Sequence, residues 1–382
     1  LGAAEPVEVS SRAIDLVLAS RVVDMLGLLT LDWQKLFSWQ TTPAAFEEPD
    51  YRGLEVSGVD VFHPAVETSY RDAYAGALHW ITGWNRLLDA KGCYLTRVDS
   101  LDRLQNARRR GKVGVIVGFQ NSNHFRATGD VAAFYALGQR ISQLTYNEKN
   151  ELGSGCYVRR DRGLTDFGGE IVAEMNRLGM AIDVSHCGER TSRETIAASR
   201  RPVIVSHANC AALVPGQPRC KSDRVIREMA ARGGVIGITL VRAFVAASTR
   251  PTLENLLDHF DHVRKIAGIE HVGLGSDVDV TARDPANGRA LSFYALGGLD
   301  PTARVYQIAD GLLRRGYSAR EVELVLGENF VRALGEIWID RPRFSAGGLD
   351  ERRDPFCPAP HRMPPPEVVR VGDPPAERRE AE

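Results

Sequence analysis

Short β-branched runs alternate along this chain with longer segments of helical periodicity, and this alternation constrains the fold most. The candidate strands are Val22–Leu29, Gly58–Phe62, Val113–Phe119, Ile141–Tyr146, Met180–Ser185, Pro202–Ser206, Gly234–Leu240 and His271–Ser276. Helix-like segments between them include Val131–Arg140, Gly169–Leu178, Arg190–Ser199, Ser222–Ala231 and Leu253–Ala267. Strands that alternate with helices form a parallel sheet with crossover helices. Eight such units favour an α/β fold of the closed (β/α)8 TIM barrel type over an open doubly wound sheet.

Prolines mark a change of character near the end of the chain. We predict a single barrel domain over residues 1–340 and a tail over residues 341–382 that is extended or disordered, because that stretch combines many prolines with mixed charges.

Composition excludes several classes of partner. The formal net charge is −1, so no global field attracts nucleic acid or an anionic membrane. The basic run Arg108–Arg110 has no interleaved aromatic residues, which favours a solvated helix end. No apolar run approaches the roughly 20 residues of a membrane span. The six cysteines form no CxxC pair, so we expect free thiols and a cytoplasmic protein.

Two histidines follow predicted strands directly. Side-chain alternation puts His186 on the same face as Val184, and His207 on the same face as Val205. Active sites of such barrels lie at the carboxyl ends of the strands, where consecutive strands bring their last residues together. We therefore predict that the two imidazoles meet in the barrel mouth at zinc-ligand distance.

Two further side chains are predicted to face the same mouth. Asp277 follows Gly273 and Gly275 at alternating positions, and it could accept a proton from an attacking water, bind a metal or simply anchor a loop. Gln120 faces the mouth if the alternate residues up to Gly118 point inward.

Several motifs, in order along the chain, resemble the renal (membrane) dipeptidase family of metallopeptidases, family M19. They are Gly163–Gly168, Met175–Met180, Asp183–His186, Pro218–Arg219 and Gly275–Asp277. The resemblance is strong from about Leu144 to Asp279 and traceable from Val22 to about Phe330. It implies a (β/α)8 barrel of the metal-dependent hydrolase type, a two-zinc site, hydrolysis of dipeptides and related amides, and a homodimer.

The chain departs from the family pattern at the metal site. The His-x-Asp pair that binds the family's first zinc falls at Leu26 and Leu28, and the bridging glutamate falls at Gln120. Neither leucine can bind a metal, and a neutral amide bridges two cations poorly. We therefore expect one zinc ion at most, held by Gln120, His186 and His207.

Other family roles carry over by the same resemblance. Asp277 matches the proton-handling aspartate, and Arg219 matches the arginine that receives the substrate's carboxylate. Tyr146 stands where the family has a substrate-contacting histidine, so its hydroxyl is expected to contact the carbonyl or the oxyanion.

Three functions stay open from the sequence. The first is a dipeptidase-like hydrolase that cleaves a dipeptide or related small amide with at most one zinc. The second is a metal-independent acid–base enzyme, such as a lyase, an isomerase or a biosynthetic enzyme, on the same barrel. The third is a non-catalytic ligand-binding protein. All three predict a small-molecule ligand, and neither nucleic acid nor a membrane as partner.

Overall fold

Eight short parallel strand segments close into a barrel. The computed structural model of the chain describes residues 6–68, 72–107, 111–284, 286–287, 291–339 and 363–372. In order around the barrel the strands are Val23–Asp24; Val61–Phe62 with Ala65–Val66; Val113–Val115 with Gly118–Phe119; Ile141–Gln143; Ala181–Asp183; a sixth segment at Ile204 and Val205; Ile236–Ile238; and Val272–Leu274. Single bridges from Asp183 to Ile204 and from Val205 to Ile236 join the sixth segment, and Leu274 pairs with Asp24 to close the ring. The predicted (β/α)8 barrel is confirmed.

Helices surround the barrel, and their ends follow local sequence signals. In the described residues the α-helices are Ser11–Ala19, Trp33–Thr41, Glu48–Val56, Ala73–Ala90, Leu101–Asn106, Thr128–Leu137, Asp166–Leu178, Glu189–Ala198, Asp223–Ala230, Arg242–Val245, Leu253–Ala267, Arg304–Arg314, Ala319–Glu323 and Asn329–Ile337. The helix Asp166–Leu178 begins where the Thr165 hydroxyl accepts the Gly168 N–H at 2.9 Å, and it ends at Gly179 with φ of 80°.

The structure corrects the predicted side-chain direction in two strands. Ala181 and Ile204 belong to the inner apolar cluster, whereas Val184 and Val205 pack outward in the larger core. Alternation along an uninterrupted strand would therefore point each histidine outward. His186 reaches the mouth because its strand ends at Asp183 and the chain turns there, and His207 likewise follows the short bridged segment.

Phe330, on the helix Asn329–Ile337, closes the lower end of the barrel. A Cβ at Gly273 would lie 2.6 Å from a Phe330 ring carbon, so glycine is required at this close approach. The predicted inward facing of Gly118 is also confirmed, since a Cβ there would meet the inward His63 imidazole.

Three further strands lie outside the closed ring. Leu95–Arg97 pairs with Val113–Val115, and Val7–Ser10 pairs in parallel with Val368–Val371, which belongs to the predicted tail. The rest of that tail, residues 341–362 and 373–382, and the Arg108–Arg110 run lie outside the described residues. No helix in the described ranges is long and apolar enough to cross a membrane.

The cysteines correct one expectation. Cys93 is disulfide-bonded, so it is not the free thiol that the sequence suggested. Free thiols are confirmed at Cys156, Cys187, Cys210 and Cys220, all of which are buried. The cytoplasmic location stays a prediction.

Candidate active site at the barrel mouth

The two predicted histidines meet at the carboxyl ends of neighbouring strands. His186 Nε2 lies 3.0 Å from His207 Nε2, and both side chains are buried. The structure therefore brings together the pair on which the sequence-based hypothesis depends.

Hydrogen bonds on the far sides of the rings fix both tautomers. His186 Nδ1–H donates to Asn147 Oδ1 at 2.8 Å, since an amide oxygen can only accept. Ser206 Oγ donates to the Asp183 carboxylate and so accepts from His207 Nδ1–H at 2.8 Å. Both Nε2 atoms consequently present lone pairs to each other. Two facing lone pairs repel, and a metal ion or a proton between them removes that repulsion.

Asp183 holds the turns that carry the histidines. Its Oδ1 accepts the Ser185 N–H at 2.9 Å, the Ser185 hydroxyl at 2.6 Å and the Ser206 N–H at 3.0 Å. The Ser185 hydroxyl in turn accepts the His207 main-chain N–H at 3.1 Å. One buried carboxylate thus orients both strand ends.

Two buried cations brace the same turns. Arg219 donates from Nη1 to the Ser185 carbonyl at 2.6 Å and from Nη2 to the His207 carbonyl at 2.9 Å. Lys221 Nζ donates to the Cys187 carbonyl at 2.7 Å. Arg219 is 1% exposed, and both of its terminal nitrogens bond main-chain carbonyls. A role for Arg219 in binding a substrate carboxylate stays a prediction.

The imidazoles are neutral in this environment. Burial is the main cause that lowers the pKa of His186 and of His207 well below its usual value, and the positive charges of Arg219 and Lys221 lower both further. Neutral imidazole is the form that binds a metal ion.

We expect Arg219→Met to lower the free energy of unfolding by about 2–4 kcal/mol, because two buried carbonyls lose a charged donor. Urea denaturation followed by circular dichroism measures this loss. Arg190→Met is the control, since the Arg190 side chain is 61% exposed and pairs only with Glu194; it should leave the midpoint unchanged. Equal midpoints for both variants would refute the bracing role.

Tyr146 and Asp277 flank the histidine pair. The Tyr146 ring stacks on His186 with centroids 4.2 Å apart and an interplanar angle of 22°. Burial raises the pKa of Tyr146 to about 12, and the negative charges of Asp277 and Glu67 add to that rise. The hydroxyl therefore stays protonated and can donate a hydrogen bond at neutral pH.

Asp277 has a left-handed backbone conformation and a partly buried side chain. Its φ is 61°, in the left-handed region that few residues other than glycine adopt, and its N–H donates to the Leu26 carbonyl at 2.7 Å. Burial raises the pKa of its carboxyl group to about 7; Arg219 opposes this rise and Asp24 adds to it. Among the described residues, no donor makes a hydrogen bond to this carboxylate. Asp277 can therefore exchange a proton near neutral pH.

By the sequence resemblance, Leu26 and Leu28 stand where the family's first zinc has its ligands. Leu26 and Leu28 are buried apolar side chains there. Asp24 accepts the Ser276 N–H at 2.8 Å and forms a buried ion pair with Arg304 at 3.4 Å, so its carboxylate is already occupied. These contacts make Asp24 a structural residue.

The histidine pair, which the resemblance aligns with the family's second zinc, partly fits a metal ion. Two nitrogen ligands at about 2.05 Å from a tetrahedral zinc lie roughly 3.3 Å apart, close to the separation of His186 Nε2 and His207 Nε2. Gln120 lies at the mouth and donates from Nε2 to the Ala65 carbonyl at 3.1 Å, which leaves its amide oxygen as a possible ligand. In the part of the chain that the structure describes, no three histidine, cysteine or acidic side chains are grouped to hold a metal.

Sequence reasoning did not identify His63 or Glu67. His63 is buried and donates from Nδ1 to the Met25 carbonyl at 2.7 Å, and its Nε2 has no partner among the described residues. Glu67 follows the strand segment Ala65–Val66, and its buried Oε1 likewise has no partner in the described part of the chain. The predicted strand ended at Phe62, yet period-two alternation from Val61 would have marked both residues as inward.

A cavity of about 490 Å³ lies between residues 214–217 and residues 242–248. Its walls include Gln217, Ala243 and Phe293. Gln217 Oε1 accepts the Arg219 main-chain N–H at 3.2 Å, and the Phe293 ring contacts that of Tyr294. The candidate site residues are not among those that line this cavity, so it is not assigned to the histidine site.

Comparison with known proteins adds independent findings. The sequence profile of the membrane dipeptidase family (peptidase family M19) matches residues 53–340. Dipeptidase verJ from Clonostachys rogersoniana is 34% identical over 232 residues, which are 60% of this chain and 56% of that protein. The match thus spans less than two thirds of that relative.

Solved structures agree with the fold. An amidohydrolase from Pseudomonas aeruginosa superposes with a TM-score of 0.71 at 30% identity, covering 85% of this chain and 99% of that chain. A metallopeptidase from Rhodobacter sphaeroides, liganded with a phosphinate mimic of the dipeptide L-Ala-D-Ala, superposes with a TM-score of 0.67 at 19% identity, covering 84% and 99%. At that identity the second likeness supports the fold alone.

Proposed function

The chain belongs to the membrane dipeptidase family, peptidase family M19, and from this premise we propose that it is a hydrolase that cleaves a dipeptide or a related small amide. The observation that carries the proposal is the convergence of two Nε2 lone pairs, 3.0 Å apart, at the mouth of the barrel. Asp277, which can exchange a proton near neutral pH, lies at the same mouth. A ligand-binding protein without catalysis requires neither feature.

Each residue has a defined task in this proposal. At most one zinc ion, held by His186, His207 and the Gln120 amide oxygen, would lower the pKa of a bound water. Asp277 accepts the proton of the attacking water and returns it to the leaving nitrogen. The Tyr146 hydroxyl donates a hydrogen bond to the carbonyl oxygen as negative charge develops there.

Metal analysis tests the zinc. Protein purified without chelators is expected to contain up to about one zinc per chain, and His186→Ala should lose most of it because half of the imidazole pair is gone. Inductively coupled plasma mass spectrometry measures both. Less than about a tenth of an equivalent, with no activation by added zinc, manganese or cobalt, would contradict metal-assisted hydrolysis.

The metal-independent acid–base enzyme stays as a second candidate. The buried cations Arg219 and Lys221 favour it, because they brace the histidine turns and electrostatically oppose a divalent ion. Turnover that persists after complete chelation would support this candidate over the hydrolase. A homodimer also stays a prediction.

A further inference from the structure

Glu67 occupies a defined register position at the mouth. Ala65 pairs with Gly118 and Val66 pairs with Phe119 in parallel strands, and the Gln120 N–H donates to the Val66 carbonyl at 2.9 Å. Glu67 therefore follows its strand segment at the level where Gln120 follows the neighbouring one. Because Val61, His63, Ala65 and Glu67 alternate in phase, the carboxylate continues the inward face.

One oxygen of the Glu67 carboxylate lacks a hydrogen-bond donor among the described residues. This atom, Oε1, is buried and accepts no hydrogen bond from any residue that the structure describes. A buried acceptor without a partner costs about 1–3 kcal/mol, and more when it carries charge. Its negative charge also raises the pKa of Tyr146, which places Glu67 within electrostatic range of the histidine–tyrosine stack. A ligand that brings N–H donors and positive charge to this point would remove the penalty.

The charged side chains near Glu67 favour an organic cation over a metal ion as its partner. Arg219, a buried cation near the site, already contacts two main-chain carbonyls, and Asp277 adds a second acidic group within electrostatic range of Tyr146. A metal ion is the poorer occupant, since Glu67 belongs to no group of three ligand side chains in the described residues. An organic ammonium needs only hydrogen bonds and a negative partner.

We propose that Glu67 binds the α-ammonium group of the substrate and so restricts the enzyme to peptides with a free amino terminus. This inference rests on the proposed function, because it takes a dipeptide as the occupant of the mouth. Glu67 is a specificity residue in this assignment: it binds the end of the substrate away from the leaving nitrogen.

A matched ligand pair tests the assignment. Alanyl-alanine and propionyl-alanine differ only in the ammonium group. In the wild-type protein we expect the first to show a kcat/KM and an affinity about 10- to 100-fold higher, as charge-assisted hydrogen bonds typically contribute. Glu67→Gln should remove most of that preference, and the loss should appear in KM for alanyl-alanine. Titration calorimetry gives the affinities independently of turnover.

Controls separate the possible failures. Glu148→Gln removes an exposed carboxylate beyond the fourth barrel strand, and it should leave the preference intact. If the wild-type protein hydrolyses neither compound, the proposed function fails, yet a calorimetric preference that Glu67→Gln abolishes still supports the ammonium site. Equal wild-type affinity for the two compounds overturns it, as does a preference that survives Glu67→Gln. A variant that loses zinc instead would assign Glu67 to the metal and also refute the proposal.

Discussion

Replacing His186 with alanine is expected to lower kcat/KM by about a thousandfold, or roughly 4 kcal/mol of transition-state stabilisation. His186 contributes one of two converging lone pairs, the bond to Asn147 and the surface on which Tyr146 stacks. Its loss therefore removes a ligand or acid–base group and the support of a second site residue together. Steady-state kinetics on a dipeptide measures the change.

His262→Ala is the matched control. That histidine lies on the helix Leu253–Ala267 and bonds Asp223 at 2.7 Å. Its removal should leave kcat/KM within about threefold of the wild-type value, because this histidine contacts a helix side chain and not the histidine pair. Turnover by His186→Ala above about a tenth of the wild-type rate would refute both the zinc hydrolase and the acid–base enzyme, since both require this imidazole.

The fold was predictable because the spacing of apolar residues along the chain follows which side of each helix or strand is buried. The helix Leu253–Ala267 has the predicted bounds, and each of the eight predicted strands contains a segment or bridge of the barrel. Strand lengths were overestimated, since apolar residues such as Leu26 continue past the paired segment into the buried mouth. Local pattern does not reveal where main-chain pairing stops.

The sequence predicted the position of the two histidines at strand ends, but it did not predict how their side chains reach the barrel mouth. Alternation assigned His186 and His207 to the face of Val184 and Val205, which is the outer face. The turns after the strands reverse that assignment. A turn held by distant contacts, here from Asp183 and Arg219, leaves no signal in the local period of two.

The residues that surround the histidine pair could not be predicted from local sequence patterns. Asn147, which fixes the His186 tautomer, lies 39 positions away in the chain. Glu67 and Gln120 come together only through the register of two strands. Such contacts depend on the closed barrel, so they could be found only once its strand pairing was known. Arg219 bonds the carbonyls of the histidine turns, a contact that the sequence did not predict.

Asp277→Asn is expected to lower kcat by about 100- to 10,000-fold, because an amide cannot accept the proton of water. The raised pKa of about 7 also fixes the pH profile of the wild-type enzyme. A base must be ionised, so kcat/KM should rise tenfold per pH unit below pH 7 and level off above it. Asp277→Asn should lose this rise of kcat/KM with pH. Asparagine tolerates the left-handed conformation as aspartate does, so φ of 61° is no obstacle to folding.

The same substitution should stabilise the protein at high pH. The carboxyl group has a pKa of about 7 in the folded chain and about 4 in the unfolded chain. Between these values the folded state binds more protons, so the stability of the wild-type protein falls as pH rises through this window. The amide of the variant never ionises, and after allowance for solvent screening the variant should be about 1–2 kcal/mol more stable at pH 8. The two proteins should unfold alike near pH 4, where both side chains are neutral. Urea midpoints at the two pH values decide: a variant that is less stable at pH 8 would show that Asp277 is held as a structural anion, and the assignment of the catalytic base would fall with it.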